Sequence, residues 1–442
     1  MAGGLGRRAE AIDATIPKPL IEIENKPILQ WELECLIEQG LTEIILTVSH
    51  KAELIKNYFK DGSAFGCHIE YFFEEQPLGN AGALFKLWSS GELNGDFLLL
   101  NADSMFDIDF ERFFSYHRTH DALATLFTHP NNHPYDSGLI IADNNGVVKR
   151  WLTKEDERPE WYKNCVNAGA HIISSELLEQ SGIDPARIDS SHKVDLDRDV
   201  LKPLVRTERI YAYCSPEYVK DMGTPERFEQ VQRDLASGLV EARNLKYKQK
   251  AVFIDRDGTI NRFVGFLRDI DDFKLIAGVT EGIRRLNESG YLVIVVTNQS
   301  VIARGEVTFG ELNLIHNKME TLLGREGAYL DAIYYCPHHP DKGFGGEIAE
   351  LKIDCECRKP KPGMLLQAAE DFNIDLSQSW MIGDSCTDVQ AGKNAGCKTV
   401  LIEKDDGEHK KGKNDYGQMV NTQSLLKAVE IILQNPGSEK NI

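Results

Sequence analysis

Two acidic residues directly follow a short apolar run near the middle of the chain. The run Ala251–Ile254 leads into Asp255, Arg256 and Asp257, and a Gly258-Thr259 turn comes next. Four apolar residues that end at a turn are typical of a buried strand. Because open α/β sheets bind their ligands at the carboxyl ends of their strands, we expect Asp255 and Asp257 to lie in a ligand site.

Strand-like and helix-like stretches alternate through both halves of the chain. In the first 220 residues the apolar runs include Glu43–Val48 and Phe97–Leu100. In the second half, Ala251–Ile254 and Leu292–Val296 flank a helical pattern around Val279–Leu286. This alternation predicts an α/β protein with Rossmann-like parallel sheets that helices cover on both faces.

Length and charge narrow the protein class further. A chain of 442 residues is too long for one ordinary domain. We predict domains at residues 1–238 and 249–442, joined by a linker at 239–248. Fifty basic against sixty-nine acidic residues give a net charge of −19, which argues against nucleic acid or an anionic membrane as partner.

Three sequence features predict a cytoplasmic location. No apolar run approaches the roughly 20 residues that span a bilayer. The N-terminus has glycines where a secretory signal would need an apolar segment. The nine cysteines are odd in number and mostly scattered, which suits a reducing compartment.

Polar residues that suit a phosphoryl group recur at later positions of the second half. Thr297 and Asn298 end a predicted strand, where a hydroxyl and an amide can hold a phosphoryl oxygen. Arg358 and Lys359 lie in a proline-rich turn and can neutralise a phosphate. Asp384 ends a further strand. The order along the chain predicts that all of these groups meet at one edge of the sheet.

This set of groups suits phosphate transfer through an aspartyl-phosphate. Asp255 would attack phosphorus, and Asp257 would manage the proton of the leaving group. A hard Mg²⁺ ion prefers oxygen ligands, and the Asp255 carboxylate, the Asp257 carbonyl and the Asp384 carboxylate would supply them.

A cluster of cysteines and a histidine indicates a second metal site. Cys336 and His338 form one pair, and Cys355 and Cys357 form another. Three thiolates and one imidazole match a closed, tetrahedral zinc site of structural type. The adjacent His339 is the alternative imidazole, and we favour His338.

These motifs, in this order, resemble those of the haloacid dehalogenase (HAD) superfamily. The resemblance implies that Asp255 is the nucleophile, Asp257 the general acid and base, and Asp384 a magnesium ligand. It also implies that Thr297 and Lys359 bind phosphate, with Asp388 holding Lys359 or a metal-bound water.

The zinc pattern resembles that of the D-glycero-D-manno-heptose 1,7-bisphosphate 7-phosphatases, which act in the synthesis of bacterial surface polysaccharides. The histidinol-phosphate phosphatases are similar and remain an alternative.

The first half opens with residues that suit a triphosphate. Backbone amides of a glycine-rich turn can approach phosphates closely, and nearby cations can offset the negative charge. Later, a second glycine-rich loop and two carboxylates at strand ends complete the pattern. The first turn contains Gly3, Gly4 and Gly6, and the cations are Arg8 and Lys18. The second loop contains Gln76 and Gly79, and the carboxylates are Asp103 and Asp221.

Together these stretches resemble the sugar-1-phosphate nucleotidyltransferases over about residues 1–235. The resemblance implies Mg²⁺ at Asp103 and Asp221, phosphates at Arg8 and Lys18, and the base at Gln76. It places the sugar at Asn167 and Gly169. In this family a sugar 1-phosphate attacks the α-phosphorus of a nucleoside triphosphate, chiefly through positioning and charge neutralisation.

One feature departs from that family. A buried strand precedes the glycine turn there, whereas this sequence begins at the turn itself. Without a central strand, we expect two neighbouring strands with unpaired edges and a thinner core.

The two halves together suggest consecutive reactions. Removing the C7 phosphate yields heptose 1-phosphate, which a nucleotidyltransferase would then activate. The resemblance to heptose- and mannose-1-phosphate guanylyltransferases implies GTP as the donor. The alternatives are a first domain without catalysis and a phosphatase for histidinol phosphate.

Overall fold

The computed structural model describes residues 16–343, 345–403 and 420–434, which form two compact units. The first unit comprises the chain up to His129, together with Gly138–Glu155 and Cys165–Asn244. The second comprises the chain from Leu245, together with Pro130–Ser137 and Asp156–Asn164. No helix in the described ranges is long and apolar enough to cross a membrane.

The second unit is built on a six-stranded sheet in which every pair of neighbouring strands is parallel, in the order β15-β14-β13-β16-β17-β18. Its strands are β13 Ala251–Ile254, β14 Leu292–Asn298, β15 Ala332–Cys336, β16 Trp380–Gly383, β17 Lys398–Ile402 and β18 Val420–Thr422. Its helices are α9 Val279–Asn287, α10 Phe309–Arg325, α11 Gly363–Asp371, α12 Cys386–Ala395 and α13 Leu425–Gln434. The parallel sheet predicted for this half is confirmed.

The strand β13 lies at the centre of this sheet and is buried on both faces. Val252 and Ile254 pack into the core on one face, and Ala251 and Phe253 pack into the core on the other. The alternation follows from the two-residue period of a strand. A fully buried side chain such as Phe253 contributes about 1.5–3 kcal/mol to stability. Asp255 therefore follows a central strand that is buried on both faces.

The helix α10 begins at a capping box, in which Thr308 and Glu311 satisfy each other's backbone N–H groups. Its buried face also meets a segment from earlier in the chain. The hydroxyl of Thr321 accepts from the backbone N of Tyr162 (2.9 Å) and donates to its carbonyl (3.0 Å), and Glu320 accepts from the N of Asn164 (3.2 Å). These contacts tie Asp156–Asn164 to the second unit.

The first unit contains twelve strands among its described residues, several of them short. The strands are β1 Glu22–Ile23, β2 Lys26–Pro27, β3 Glu43–Val48, β4 His68–Phe73, β5 Asp96–Leu99, β6 Ser104–Asp107, β7 Ala124–His129, β8 Leu139–Ala142, β9 Val148–Leu152, β10 Val166–Ser174, β11 Ile210–Cys214 and β12 Tyr218–Asp221. The helices are α1 Ile28–Glu38, α2 Ala52–Phe59, α3 Gly82–Ser90, α4 Phe110–Thr119, α5 Ser175–Gln180, α6 Lys202–Leu204, α7 Pro225–Ala236 and α8 Leu239–Ala242, with a π-helical turn at Leu196–Leu201.

The parallel sheet predicted for the first half is present only in part. β10 pairs antiparallel with β5, β7 and β8, while β11 is parallel to β7 and β3 is parallel to β4. β8 and β9 are also antiparallel. The five residues that join them, Asp143 to Val147, are too few for the crossover connection that a parallel pair requires. The unit is mixed α/β.

An apolar cavity of about 440 Å³ separates β3 from β5. Glu43–Thr47 line one side and Asp96–Leu100 the other, with α1 and α3 contributing leucines such as Leu33 and Leu84. Among the described residues, β3 pairs only with β4 and β5 only with β10.

Candidate functional site

A lysine between two carboxylates forms the centre of the phosphatase-like site. Asp255 follows β13, and its Oδ1 lies 2.6 Å from Lys359 Nζ. On its other side, Lys359 Nζ lies 2.6 Å from Asp388 Oδ1, and it also donates to the carbonyl of Val296 (2.7 Å). All three charged side chains are buried, Asp388 at 1% exposure and Lys359 at 3%. The lysine thus neutralises two carboxylates that could not both stay buried and ionised without it.

Burial and charge act in opposite directions on the members of this cluster. Burial raises the pKa of Asp255 above its ordinary value, against the charge of Lys359, which lowers it. Burial lowers the pKa of Lys359, but Asp255 and Asp388 together raise it above its ordinary value. The two carboxylates therefore favour the protonated form of Lys359.

Three carboxylates at this edge of the sheet are close enough to share a cation. One oxygen each of Asp255, Asp384 and Asp388 lies within 4.8 Å of the others. Hard oxygen donors in this number suit Mg²⁺, which completes its shell with water and substrate. Asp384 follows β16, the immediate neighbour of β13, so adjacent strand ends bring Asp255 and Asp384 together.

The carboxylate of Asp257 points into a separate set of hydrogen bonds. Arg256 donates to both of its oxygens, at 3.0 Å and 2.7 Å from Nη2. Gln299 Nε2 donates to Oδ2 (2.9 Å), and Asn261 Nδ2 donates to Oδ1 (3.0 Å). Burial raises the pKa of Asp257, but Arg256 and these amides outweigh it and hold the pKa below its ordinary value. Asp257 is therefore an ionised, oriented carboxylate.

Thr297, Asn298 and Arg358 lie around the same strand ends. The Thr297 hydroxyl is 1% exposed and accepts from Gln299 Nε2 (2.9 Å). The Asn298 amide engages the backbone of Lys359, donating to its carbonyl and accepting from its N–H, both at 3.0 Å. Arg358 donates to the carbonyl of His338 (3.2 Å). In this arrangement Asn298 fixes the turn that carries Lys359.

Three cysteines and a histidine converge in the second unit. The Sγ atoms of Cys336 and Cys355 are 3.4 Å apart, those of Cys355 and Cys357 are 3.2 Å apart, and His338 Nδ1 lies 3.3 Å from Cys357 Sγ. The three cysteines form no disulfide. Tetrahedral zinc with bonds of about 2.3 Å to sulfur needs sulfur atoms about 3.8 Å apart, so the donors fit a metal ion after a small expansion.

The neighbouring histidine has another partner. Nδ1 of His339 accepts from the backbone N–H of Asp341 (3.2 Å). Of the two adjacent imidazoles, the one directed at the cysteines belongs to His338.

In the first unit, the two expected magnesium ligands, Asp103 and Asp221, lie at the ends of paired strands. Lys18 Nζ donates to Asp103 Oδ2 (3.1 Å). Asp103 directly precedes β6, and Asp221 ends the antiparallel strand β12, so that the backbone N of Met222 donates to the carbonyl of Asp103 (3.0 Å). Both oxygens of Asp221 accept from Arg227 Nη1 (2.8 and 2.6 Å).

The glycine loop that contains Gln76 and Gly79 is attached to a later segment. Gly79 has φ +87°, and a Cβ there would lie 2.2 Å from the carbonyl oxygen of Val194. The backbone N of Val194 donates to Leu78 O (3.0 Å), which closes the approach. Only glycine satisfies both the backbone angle and the contact. Gln76 itself is exposed.

Asn167 and Gly169 lie together on β10. The side-chain oxygen of Asn167, Oδ1, accepts from the backbone N–H of Gly169 (3.2 Å) and from His171 Nε2 (3.2 Å). Gly169 has φ +78°, and a Cβ there would approach Asn101 Nδ2 to 2.7 Å. The predicted residues Gly3, Gly4, Gly6 and Arg8 lie outside the described residues.

Several residues of both sites escaped the sequence analysis. Arg256 and Gln299 contact Asp257, and His316 contacts Arg256. The signal for Arg256 was its position between two carboxylates at a buried strand end. In the first unit, Glu32 is 3% exposed and accepts from the backbone N of Ser104 (3.2 Å). Burial raises the pKa of Glu32 well above its ordinary value, but no sequence pattern distinguishes it from other glutamates on α1.

Family models match both halves of the chain. Residues 1–238 match the nucleotidyl transferase model, and residues 356–422 match the HAD-hydrolase-like model. The D-glycero-beta-D-manno-heptose-1,7-bisphosphate 7-phosphatase of Yersinia pestis is 46% identical over 152 residues, which cover 34% of this chain and 79% of that protein.

Two solved structures are also similar. The D,D-heptose 1,7-bisphosphate phosphatase from B. bronchiseptica, complexed with magnesium and phosphate, is 33% identical, with a TM-score of 0.38 and coverage of 42% of this chain and 99% of that one. HddC from Yersinia pseudotuberculosis is 24% identical, with a TM-score of 0.44 and coverage of 53% and 96%.

The nucleotidyl transferase model spans more than half of the chain, and the Yersinia pestis relative is matched over more than two thirds of its length. The chain therefore belongs to the nucleotidyl transferase family and, through its second half, to the family of D-glycero-beta-D-manno-heptose-1,7-bisphosphate 7-phosphatases.

Proposed function

We propose that this protein removes the C7 phosphate of D-glycero-D-manno-heptose 1,7-bisphosphate and transfers a nucleotidyl group to the resulting heptose 1-phosphate. The observation that carries the phosphatase half is the buried Asp255–Lys359–Asp388 cluster with Asp384 beside it. The 46% identity to a heptose bisphosphate phosphatase supports the substrate.

The reaction would proceed in two steps at Asp255. An oxygen of Asp255 attacks phosphorus, and the bond from phosphorus to the C7 oxygen breaks. Asp257, which takes up a proton from solvent before this step, donates it to the leaving oxygen. In the second step Asp257 removes a proton from water, the water oxygen attacks phosphorus, and the Asp255 carboxylate is released with phosphate.

Lys359 and Thr297 would bind the phosphoryl oxygens in both steps, since Lys359 is the protonated amine nearest the nucleophile. Asp255, Asp384 and the Asp257 carbonyl would hold Mg²⁺, which supplies positive charge against the phosphoryl oxygens when bound. Arg358 would neutralise a further phosphate oxygen.

In the first unit, the sugar phosphate would attack the α-phosphorus of a nucleoside triphosphate and release pyrophosphate. Asp103 and Asp221 would hold Mg²⁺, and Lys18, already paired with Asp103, would contact the phosphates. Gln76 and Gly79 would face the base, and Asn167 and Gly169 the sugar. GTP is the proposed donor, on the resemblance to guanylyltransferases of heptose and mannose 1-phosphate.

A second candidate is a phosphatase whose first unit has no transferase activity. The cavity between β3 and β5 favours it, because a cavity among the described residues lowers the stability of the unit that carries Asp103. Incubating the protein with both anomers of heptose 1,7-bisphosphate, Mg²⁺ and the four nucleoside triphosphates, with products read by mass spectrometry, separates the candidates.

A nucleotide-heptose in that experiment supports both activities and identifies the base and the anomer. Heptose 1-phosphate alone supports the second candidate. If neither anomer reacts while histidinol phosphate is hydrolysed, the heptose assignment is wrong.

Replacing Asp103 with asparagine should abolish nucleotidyl transfer and leave phosphate release unchanged. Loss of a metal ligand removes several kcal/mol of charge stabilisation, so we expect a fall of roughly 10³-fold in kcat/KM. Pyrophosphate release measures the first reaction and inorganic phosphate the second. The control is Asp121→Asn, since the Asp121 carboxylate is 94% exposed. Equal loss of both activities in Asp103→Asn would contradict the assignment.

We propose zinc for the Cys336, His338, Cys355 and Cys357 cluster. Replacing Cys357 with serine should reduce bound zinc from about one per chain to near zero, because serine is a poor ligand for this ion. The melting temperature of the second unit should fall by more than about 10 °C, since zinc binding couples to folding. Mass spectrometry of the metal and calorimetry measure these effects. Cys386→Ser, at an exposed free thiol, should change neither.

A further inference from the structure

Arg256 is the largest fully buried polar side chain of the second unit, at 0% exposure. Its guanidinium donates to both oxygens of Asp257, to Gln299 Oε1 (2.9 Å) and towards His316 Nε2 (3.2 Å from Nη1). A planar guanidinium with acceptors on three sides has one orientation. The orientation of the Asp257 carboxylate therefore depends on the residue that contacts Nη1 of Arg256, on the side away from Asp257.

His316 lies on that far side. It is 6% exposed, on the buried face of α10, and its ring lies 5.6 Å from that of Tyr335. Burial, reinforced by the charge of Arg256, lowers the pKa of His316 to about 3, so the imidazole is neutral. The ring then accepts from Arg256 at Nε2 and carries its proton on Nδ1.

Asp257 itself has little freedom within this arrangement. Its Oδ1 accepts from Arg256 and from Asn261, and its Oδ2 accepts from Arg256 and from Gln299. Gln299 also donates to Thr297, which anchors the amide. Because Arg256 donates hydrogen bonds to both oxygens, a rotation of its guanidinium would turn the whole Asp257 carboxylate.

We infer that His316 is a positioning residue of the phosphatase reaction, which acts through Arg256 to hold the carboxylate of Asp257 in the orientation for proton transfer. The inference rests on the proposed phosphatase function. The imidazole reaches the site through Arg256, whose other N–H groups hold Asp257, so we expect its effect in the proton-transfer step. Without an acceptor at His316, a buried N–H of Arg256 lacks a partner and the guanidinium turns to find one.

Two variants at His316 test this role. His316→Leu removes the acceptor, and we expect kcat for heptose bisphosphate to fall roughly 10- to 100-fold with KM nearly unchanged, as for a misplaced catalytic group. His316→Gln places an amide oxygen near the former Nε2, and we expect it to recover most of kcat. Met319→Leu, on the same buried face of α10, is the control for repacking. Equal losses in the leucine and glutamine variants would overturn the inference.

Two further measurements distinguish a positioning role from general structural damage: one uses a substrate with a better leaving group, and the other combines His316→Leu with Asp257→Asn. An aryl phosphate releases a phenolate that needs no proton, so its single-turnover release should be nearly unaffected by His316→Leu. In an Asp257→Asn background, His316→Leu should cause no further loss. A comparable loss with both esters, or an added loss in that background, would refute the positioning role. Undiminished phosphate release by Asp255→Asn would instead refute the proposed function itself.

Discussion

Replacing Asp255 with asparagine is expected to abolish phosphate release, with a fall in kcat of at least about 10⁴-fold. The amide cannot attack phosphorus, and loss of a covalent nucleophile commonly costs this much or more. Inorganic phosphate released from heptose 1,7-bisphosphate measures the effect. Nucleotidyl transfer to heptose 1-phosphate supplied directly should be unchanged, because the proposed transferase residues all belong to the first unit.

The matched control is Asp272→Asn, an exposed carboxylate of the same unit. It should retain full phosphatase activity. If Asp255→Asn lost both activities while its melting temperature stayed the same, the assignment of two separate sites would be wrong.

Replacing Lys359 with alanine is expected to damage both the phosphatase activity and the stability of the second unit. The change leaves Asp255 and Asp388 buried beside each other without a cation, and breaking a buried ion pair by removing one partner costs about 3–5 kcal/mol. The melting temperature of this unit should fall by on the order of 10 °C. Calorimetry and denaturant titration measure the loss.

Lys361→Ala is the control for that experiment. Lys361 lies two residues away, but its partners Asp354 and Glu356 are exposed, so little change in stability is expected. A melting temperature in Lys359→Ala equal to that of Lys361→Ala would show that the three buried charges do not depend on one another.

The sequence predicted the strand-end residues well because the geometry of a parallel sheet is regular. Asp255, Thr297 and Asp384 each follow an apolar run, and the runs became neighbouring strands whose carboxyl ends lie at one edge. Lys359 lies on a turn rather than at the end of a strand, so the geometry of the sheet did not place it. Its basic, proline-rich turn and the family resemblance indicated its position.

The contact between His316 and Arg256 could not be predicted from the sequence, for a different reason. His316 lies 60 residues beyond Arg256, on a helix whose buried face is mostly apolar. Helical periodicity shows that such a face is buried, but not which strand end a polar residue on it will meet. The antiparallel pairing of β10 with three strands of the first unit is likewise a long-range property that local patterns do not contain.

The buried lysine also has a consequence for the order in which the phosphatase is made. Lys359 is synthesised 104 residues after the Asp255 that it neutralises. At about 5–20 residues per second, the ribosome delivers the cation roughly 5–20 s after the nucleophile. During that interval β13 lacks both its counter-charge and its neighbour β16, so the central strand of the sheet cannot reach its final environment. The central strand of the nascent second unit must therefore remain unpaired on this side until β16, Trp380–Gly383, has been translated.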